Sequence, residues 1–225
     1  NLITNYEDTG SGKVLLLLHG WGDNLNTFDN LMPFLSGFRI IRLDLPGFGQ
    51  TDNPPKSWSV DDYIFFVSSF LDKLNINIDF LLGHSFGGRI AIKGVALGEL
   101  RCNKLILINS AGIAKGNSLV NVLSKPFKWL PQGLKIIFYR IVGSDYADRE
   151  ELKGTFVNIV SEDLKEYAKM INTPTLIIWG NGDKSTPLAD GKTFNELIVG
   201  SKLQVISGGH FIHQEKPKEV ASLIL

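Results

Sequence analysis

Six short apolar runs, at residues 14–18, 39–43, 80–82, 104–108, 175–179 and 203–206, set the limits on what this chain can fold into. Most are apolar without a break, whereas a strand with one wet face alternates. Continuous runs belong to strands covered on both faces. Helical stretches separate them. Residues 59–74 open with Ser59 and Asp62 at the spacing of a capping box, and Tyr63, Ile64, Val67, Leu71 and Leu74 share one helical face. Residues 86–97 read as a second helix closed by Gly98, and a third begins near Pro217. Strands alternating with helices predict an α/β protein with a doubly wound, mostly parallel sheet and right-handed crossovers. The rhythm breaks once. Residues 113–172 carry no strand pattern, only helical ones interrupted by Pro126, Pro131 and Gly143. That length is far beyond an ordinary loop and reads as a helical insertion.

Composition narrows the classes. At 225 residues the chain is one domain plus that insertion, and 44% apolar with 20% charged residues is ordinary for a globular protein. Basic and acidic residues balance at 23 each, so no global field draws in nucleic acid or an anionic membrane. The lone Cys102 permits no internal disulfide and reads as a small buried residue, so the fold needs no oxidising compartment. No apolar run approaches the ~18 residues of a membrane span, and the N-terminus has no signal-peptide pattern. We therefore expect a cytoplasmic protein with no integral membrane segment, as a monomer or small homo-oligomer.

Residues 79–88 carry the chemistry: Asp-Phe-Leu-Leu-Gly-His-Ser-Phe-Gly-Gly. An apolar strand runs into Gly83-His84-Ser85-Phe86-Gly87, a G-x-S-x-G pattern, and then into a helix. A serine on such a turn is strained and holds its hydroxyl exposed, as a nucleophile requires. Five residues alone are a weak signal. Other segments at strand ends add weight: His19-Gly20-Trp21-Gly22, Asp44-Leu45-Pro46-Gly47-Phe48-Gly49, Gly180-Asn181-Gly182-Asp183 and Gly208-Gly209-His210. Catalytic groups of open α/β sheets gather at these carboxyl ends.

Together these segments resemble the α/β-hydrolase superfamily, in the chain order Ser…Asp…His that it shows. The resemblance implies an α/β-hydrolase core at 1–112 and 173–225 with an inserted helical cap at 113–172. It also implies a triad. Ser85 attacks a carbonyl carbon, His210 is the base, and Asp183 orients the imidazole and stabilises its charged form. By the same resemblance the backbone N–H groups of Trp21 and Phe86 form the oxyanion hole. His19 and Asp44 are expected to be structural, Asp44 tying down backbone N–H groups. Little before Val14 reads as strand, so the sheet is expected to be shorter at that edge than the family's usual pattern, unless the chain is cut short there.

Each role has a rival. His84 adjoins the serine, but its side chain points away on a sharp turn. His213 lies in the loop leading to the last helix, whereas His210 follows its strand directly. Asp190 is farther along a loop, and Asp163 looks like an early-helix acid near a Ser161 cap. Some relatives carry the acid after the preceding strand, where this chain has Asn109-Ser110. No phosphate loop, dinucleotide pattern or metal-ligand spacing is present, so no cofactor and no metal are expected.

Most cap aromatics (Phe127, Trp129, Phe138, Tyr139, Tyr146 and Phe156) are expected to pack the cap on the core. Lys115, Lys125, Lys128, Lys135 and Arg140 read as a solvated face. Trp21, Phe86 and Phe211 adjoin the chemistry and suggest an apolar acyl or alkyl group. The expected activity is hydrolysis of a small apolar carboxylic ester. Carbon–carbon bond, lactone or amide hydrolysis or perhydrolysis by the same triad, or a ligand-binding receptor on the same fold, are the alternatives.

Overall fold

The computed structural model describes residues 2–114 and 150–225. Seven strands are present among them: β1 (Tyr6–Gly10), β2 (Lys13–Leu18), β3 (Phe38–Leu43), β4 (Phe80–His84), β5 (Lys104–Ile108), β6 (Thr175–Gly180) and β7 (Lys202–Ile206). They form one sheet in the order β1-β3-β2-β4-β5-β6-β7. β2 to β7 pair in parallel, and β1 lies antiparallel on β3. From β2 the chain crosses to β3 on one side, then returns to β4 on the other. The ends of β2 and β4 therefore flank the point where the winding reverses, where such sheets bind ligands.

The helices are α1 (Val60–Lys73), α2 (Phe86–Ala96), α3 (Glu150–Ser161), α4 (Lys165–Met170), α5 (Leu188–Leu197), α6 (Ile212–Glu215) and α7 (Pro217–Ile224). They cover both faces of the sheet, which explains the unbroken apolar runs. Leu16, Leu18, Leu105, Leu107 and Ile177 pack with Tyr63 and Val67 of α1 and Ile90 of α2. Leu15, Leu17, Ile106, Ile108 and Ile178 face the other way, onto Ile212 and Val220. The capping box of α1 is formed, with Ser59 N donating to Asp62 Oδ2 at 2.7 Å and Asp62 N to Ser59 Oγ at 3.3 Å. Gly98 closes α2 at φ +73°.

Three features depart from expectation. An N-terminal edge strand, β1, is present. Its Tyr-Glu-Asp-Thr-Gly sequence is polar because four of its five residues are exposed, so no apolar run announces it. α5 and α6 are also without a sequence signal. Only Gly191 and Phe194 are buried on α5, too few for a readable stripe, and α6 is a single turn. Asp190 therefore sits in the first turn of a helix, and His213 sits on α6. Ser161 ends α3, and its hydroxyl donates back to Asn158 O, so it caps no following helix; Asp163 lies in the link before α4 rather than in a helix's first turn.

Between β5 and β6 the described residues hold α3, α4 and no strand. Phe127, Trp129, Phe138, Tyr139, Tyr146 and the five basic residues from Lys115 to Arg140 lie outside the described residues. Leu152, Phe156 and Ile159 of α3 are buried in the same core as α1 and α2. A buried ammonium ties this region down: Lys93 Nζ on α2 meets Asp61 at 2.7 Å on α1 and Glu162 at 2.6 Å just after α3. Arg89 Nη1 donates to Glu162 O at 2.9 Å.

Asp44, at the end of β3, shows how the rim is fixed. Its buried carboxylate accepts from Leu25 N, Gln50 N and Asn5 Nδ2, each at 2.8 Å. Two of the three donors are backbone amides that have no second acceptor among the described residues. Asp44→Ala should therefore lower the unfolding free energy by about 3 kcal/mol, measured by urea denaturation. A change within experimental error would mean the turn is held by other contacts.

Candidate active site

The turn between β4 and α2 places Ser85 at φ +50°, ψ −108°, which a residue with a Cβ rarely adopts. The surroundings force it. Gly87 N donates to His19 O at 2.9 Å, and a Cβ at Gly87 would collide with Leu18 O at the end of β2. A Cβ at Gly83 would come within 2.5 Å of Gly87 O. Only glycines let the strand, the turn and the helix approach this closely. The serine's own backbone is held by Ile108 O, which accepts from Ser85 N at 3.1 Å, and its carbonyl accepts from Ala111 N at 3.0 Å.

Ser85, Asp183 and His210 are brought together. His210 Nε2 lies 3.0 Å from Ser85 Oγ, and His210 Nδ1 lies 2.7 Å from Asp183 Oδ2. A carboxylate only accepts, so Nδ1 carries the proton and Nε2 turns a lone pair toward the serine hydroxyl. The Asp183 side chain is buried, yet its carboxylate is crowded with donors. Oδ1 accepts from Ser185 N at 2.7 Å and Thr186 N at 3.0 Å. Oδ2 accepts from Thr186 Oγ1 at 2.7 Å, from Asn109 Nδ2 and from His210. Burial alone would raise this carboxyl; the His210, Thr186 and Asn109 hydrogen bonds outweigh it and hold it below the usual carboxylate range.

Asn109 and Thr186 join the site although the sequence motifs do not include them. Thr186 was legible in principle, since an aspartate followed by Ser and Thr two and three residues on is a local turn pattern. Asn109 reads in the sequence only as a missing carboxylate, whereas it supplies a donor at the end of β5, from a backbone with φ +44°. The rivals separate cleanly. His19 is structural, with Nδ1 2.7 Å from Gly20 O and Nε2 accepting from Leu45 N at 2.9 Å. His213 Nε2 is 3.1 Å from Thr27 Oγ1. Asp163 accepts from Lys165 N.

Trp21 and Phe86 flank Ser85 in the chain's turns, and neither backbone amide donates to another described residue. Phe86 is the first residue of α2, a position whose N–H has no intrahelical partner. Their rings lie in a buried aromatic cluster: Trp21 meets Phe48 at 4.8 Å, Phe86 at 5.4 Å and Phe156 of α3 at 5.2 Å between centroids. The Trp21 and Phe86 rings are buried within this cluster, while Phe211 is part-exposed with its ring 5.3 Å from that of His210.

An open, doubly wound sheet with a strained serine at its switch point defines a class of α/β proteins, and comparison gives the family. A model described as the alpha/beta hydrolase fold matches residues 13–140. The chain belongs to the α/β hydrolase fold family. It is 28% identical to the AB hydrolase superfamily protein YisY of Bacillus subtilis, over 97% of this chain and 92% of that one. It is 25% identical to the 2-hydroxy-6-oxo-2,4-heptadienoate hydrolase of Pseudomonas putida, over 98% and 91%. A hydrolase from Pseudomonas aeruginosa superposes with a TM-score of 0.81 at 23% identity, covering 100% of this chain and 92% of that one. An esterase from Exiguobacterium antarcticum gives 0.78 at 24%, covering 98% and 93%. These structural likenesses speak to the fold. No helix among the described residues is long and apolar enough to cross a membrane.

The buried histidines should make the fold acid-sensitive. Burial, helped by the nearby His210, pushes His213 down to about 3, and burial with the neighbouring His213 and His210 rings holds His84 well below the ordinary imidazole range. Above pH ~6.5 both are neutral folded and unfolded, so they cost nothing. As pH falls below that value the unfolded chain takes up protons that the folded one refuses. Stability should then drop by about 1.4 kcal/mol per pH unit for each of them. Urea titrations between pH 7 and pH 4 measure the slope, and His213→Gln should remove one histidine's share. A slope unchanged by that substitution would contradict the assignment.

Proposed function

We propose that this protein is a serine hydrolase cleaving a small carboxylic ester with an apolar acyl or alkyl group, using Ser85, His210 and Asp183. The observation that carries this reading is the imidazole of His210 bridging the other two side chains, at 3.0 Å to Ser85 Oγ and 2.7 Å to Asp183 Oδ2. In the proposed reaction Ser85 Oγ attacks the ester carbonyl while its proton passes to His210 Nε2. The imidazolium is stabilised by Asp183. Collapse of the tetrahedral adduct expels the alcohol, which takes the proton, and leaves the acyl group on Ser85. Water then attacks with His210 again as base, releasing the acid and restoring the serine.

The amides of Trp21 and Phe86 are proposed as oxyanion donors, a role supported by their lack of another partner among the described residues and worth ~3 kcal/mol apiece in such sites. Residues 113–172 are proposed as a cap over this site; the contact of Phe156 with Trp21 supports that.

A second reading keeps the residues and changes the bond. Two Pseudomonas putida relatives are named as hydrolases of 2-hydroxy-6-oxo dienoates, whose electrophilic centre is a ketone. Hydrolysis of a ketone breaks a carbon–carbon bond. A screen of p-nitrophenyl esters, lactones, amides and 2-hydroxy-6-oxo dienoates separates the two, and turnover of the dienoates with inert esters would replace the first by the second.

Under either reading Ser85→Ala should lower turnover by ~10⁴ to 10⁶-fold and abolish labelling by a fluorophosphonate, with the fold intact by circular dichroism. Retention of most activity excludes the mechanism. Asp183→Asn should cost ~10⁴-fold in kcat, because an amide favours the wrong imidazole tautomer; stopped assays across several pH values give that figure. A loss under tenfold would remove Asp183 from the triad.

A further inference from the structure

His84 sits between the pieces of the site without belonging to the triad. It is fully buried, and it precedes Ser85 in the chain. Its ring centroid lies 4.9 Å from that of His210, 4.4 Å from His213 and 5.3 Å from Phe211. It also lies beneath the turn that carries Trp21, since a Cβ on Gly20 would fall 3.1 Å from His84 Nδ1. The side chain's hydrogen bond reaches across 126 residues, from Nε2 to the backbone carbonyl of His210, at 3.0 Å. We propose that His84 is a positioning residue: its neutral imidazole donates Nε2–H to the His210 carbonyl and so sets the height of the base loop against the serine turn. This inference rests on the reading of Ser85 and His210 as nucleophile and base.

The chemistry fixes the tautomer. A carbonyl only accepts, so Nε2 must carry the hydrogen. Nδ1 is buried with no partner among the described residues, which a bare lone pair tolerates better than a second N–H or a cation does. Burial and the surrounding rings disfavour the charged form in the same sense. The loop needs such a tie because it is intrinsically soft. After β7 the chain runs Ser207-Gly208-Gly209-His210, two glycines without side chains to anchor it. The two glycines are held through their backbone, with Gly208 O accepting from Gly182 N at 2.8 Å, Gly209 N donating to Glu215 Oε2 at 2.8 Å and Gly209 O accepting from Asn109 Nδ2 at 3.4 Å. The His84 bond holds the next carbonyl, that of the base itself. Since it originates one residue before the nucleophile, hydroxyl and imidazole are indexed to each other directly.

The deciding variants are His84→Gln and His84→Asn. A glutamine amide nitrogen reaches the position of Nε2; an asparagine falls one methylene short. Turnover is measured per active site titrated with a fluorophosphonate, so that misfolded material does not count. We expect His84→Asn to lose about 10²-fold in kcat, the scale of a 1 Å misplacement, with KM within about threefold of wild type, and His84→Gln to stay within about threefold in both. Normal turnover per site in His84→Asn, or an equal loss in both variants, overturns the proposal.

A second measurement needs no variant. Long-range nitrogen–proton NMR of the wild-type histidines should show His84 as the neutral Nε2–H tautomer at pH 7, and an Nδ1–H or cationic ring overturns the proposal by itself. Ser85→Ala serves as the control. If it remains active the serine-hydrolase reading falls; if it is dead while His84→Asn works normally, only the role of His84 falls.

Discussion

Everything at the rim of this sheet depends on how closely the end of β2 is pressed against the start of α2. Gly87 leaves no room between its own backbone and the Leu18 carbonyl, and its amide is bonded to His19. That contact forces Ser85 to a positive φ and turns its hydroxyl out of the sheet. It also fixes the distance between two turns belonging to different strands, one bearing Trp21 and the other Phe86. The sheet's winding reverses between those same strands, so the tightest packing falls at the point where open sheets of this kind bind ligands. The strain is sustained because the strand ends beneath it, Leu15–Leu18, Leu81–His84 and Leu105–Ile108, are all buried.

Across the rim the problem is electrostatic. A buried carboxylate is costly unless its lone pairs are satisfied, and Asp183 meets five donors from three segments. Three of them come from its own turn, one from the end of β5 and one from the imidazole. The carboxylate thereby anchors the His210 loop to strands that are themselves rigid. A charge held this way is a fixed reference for the imidazole, whose second nitrogen is then committed to the serine.

Much of this was legible because the physics is local. Unbroken apolar runs announced strands covered on both faces, Ser59 and Asp62 announced the start of α1, and a serine between glycines announced the strained turn. The four strand-end segments announced which residues would meet. β1 carries no such signal because an exposed edge strand has no reason to be apolar, and α5 because two buried residues make no stripe. Asn109 and His84 are silent for a different reason. Each makes a side-chain hydrogen bond to a residue 74 or 126 positions away, and nothing in the neighbouring sequence encodes such a partner. The apolar side chains at Trp21 and Phe86 are neighbours of Ser85 in the turns, as their positions in the chain imply, but their rings pack into a buried aromatic cluster with Phe48 and Phe156.

The polar character of β1 has a meaning of its own. An open sheet ends in two rows of unsatisfied amides and carbonyls, and a chain so rich in buried leucine and isoleucine would invite copies of itself to stack there. One rim is closed by a short strand whose Asp8 and Glu7 are engaged by Arg39 and Arg42 of β3. The other, β7, is only five residues long and puts Lys202 and Gln204 into solvent. Charge and brevity at both margins discourage ribbon-like aggregation, leaving the interior free to be as greasy as its packing demands.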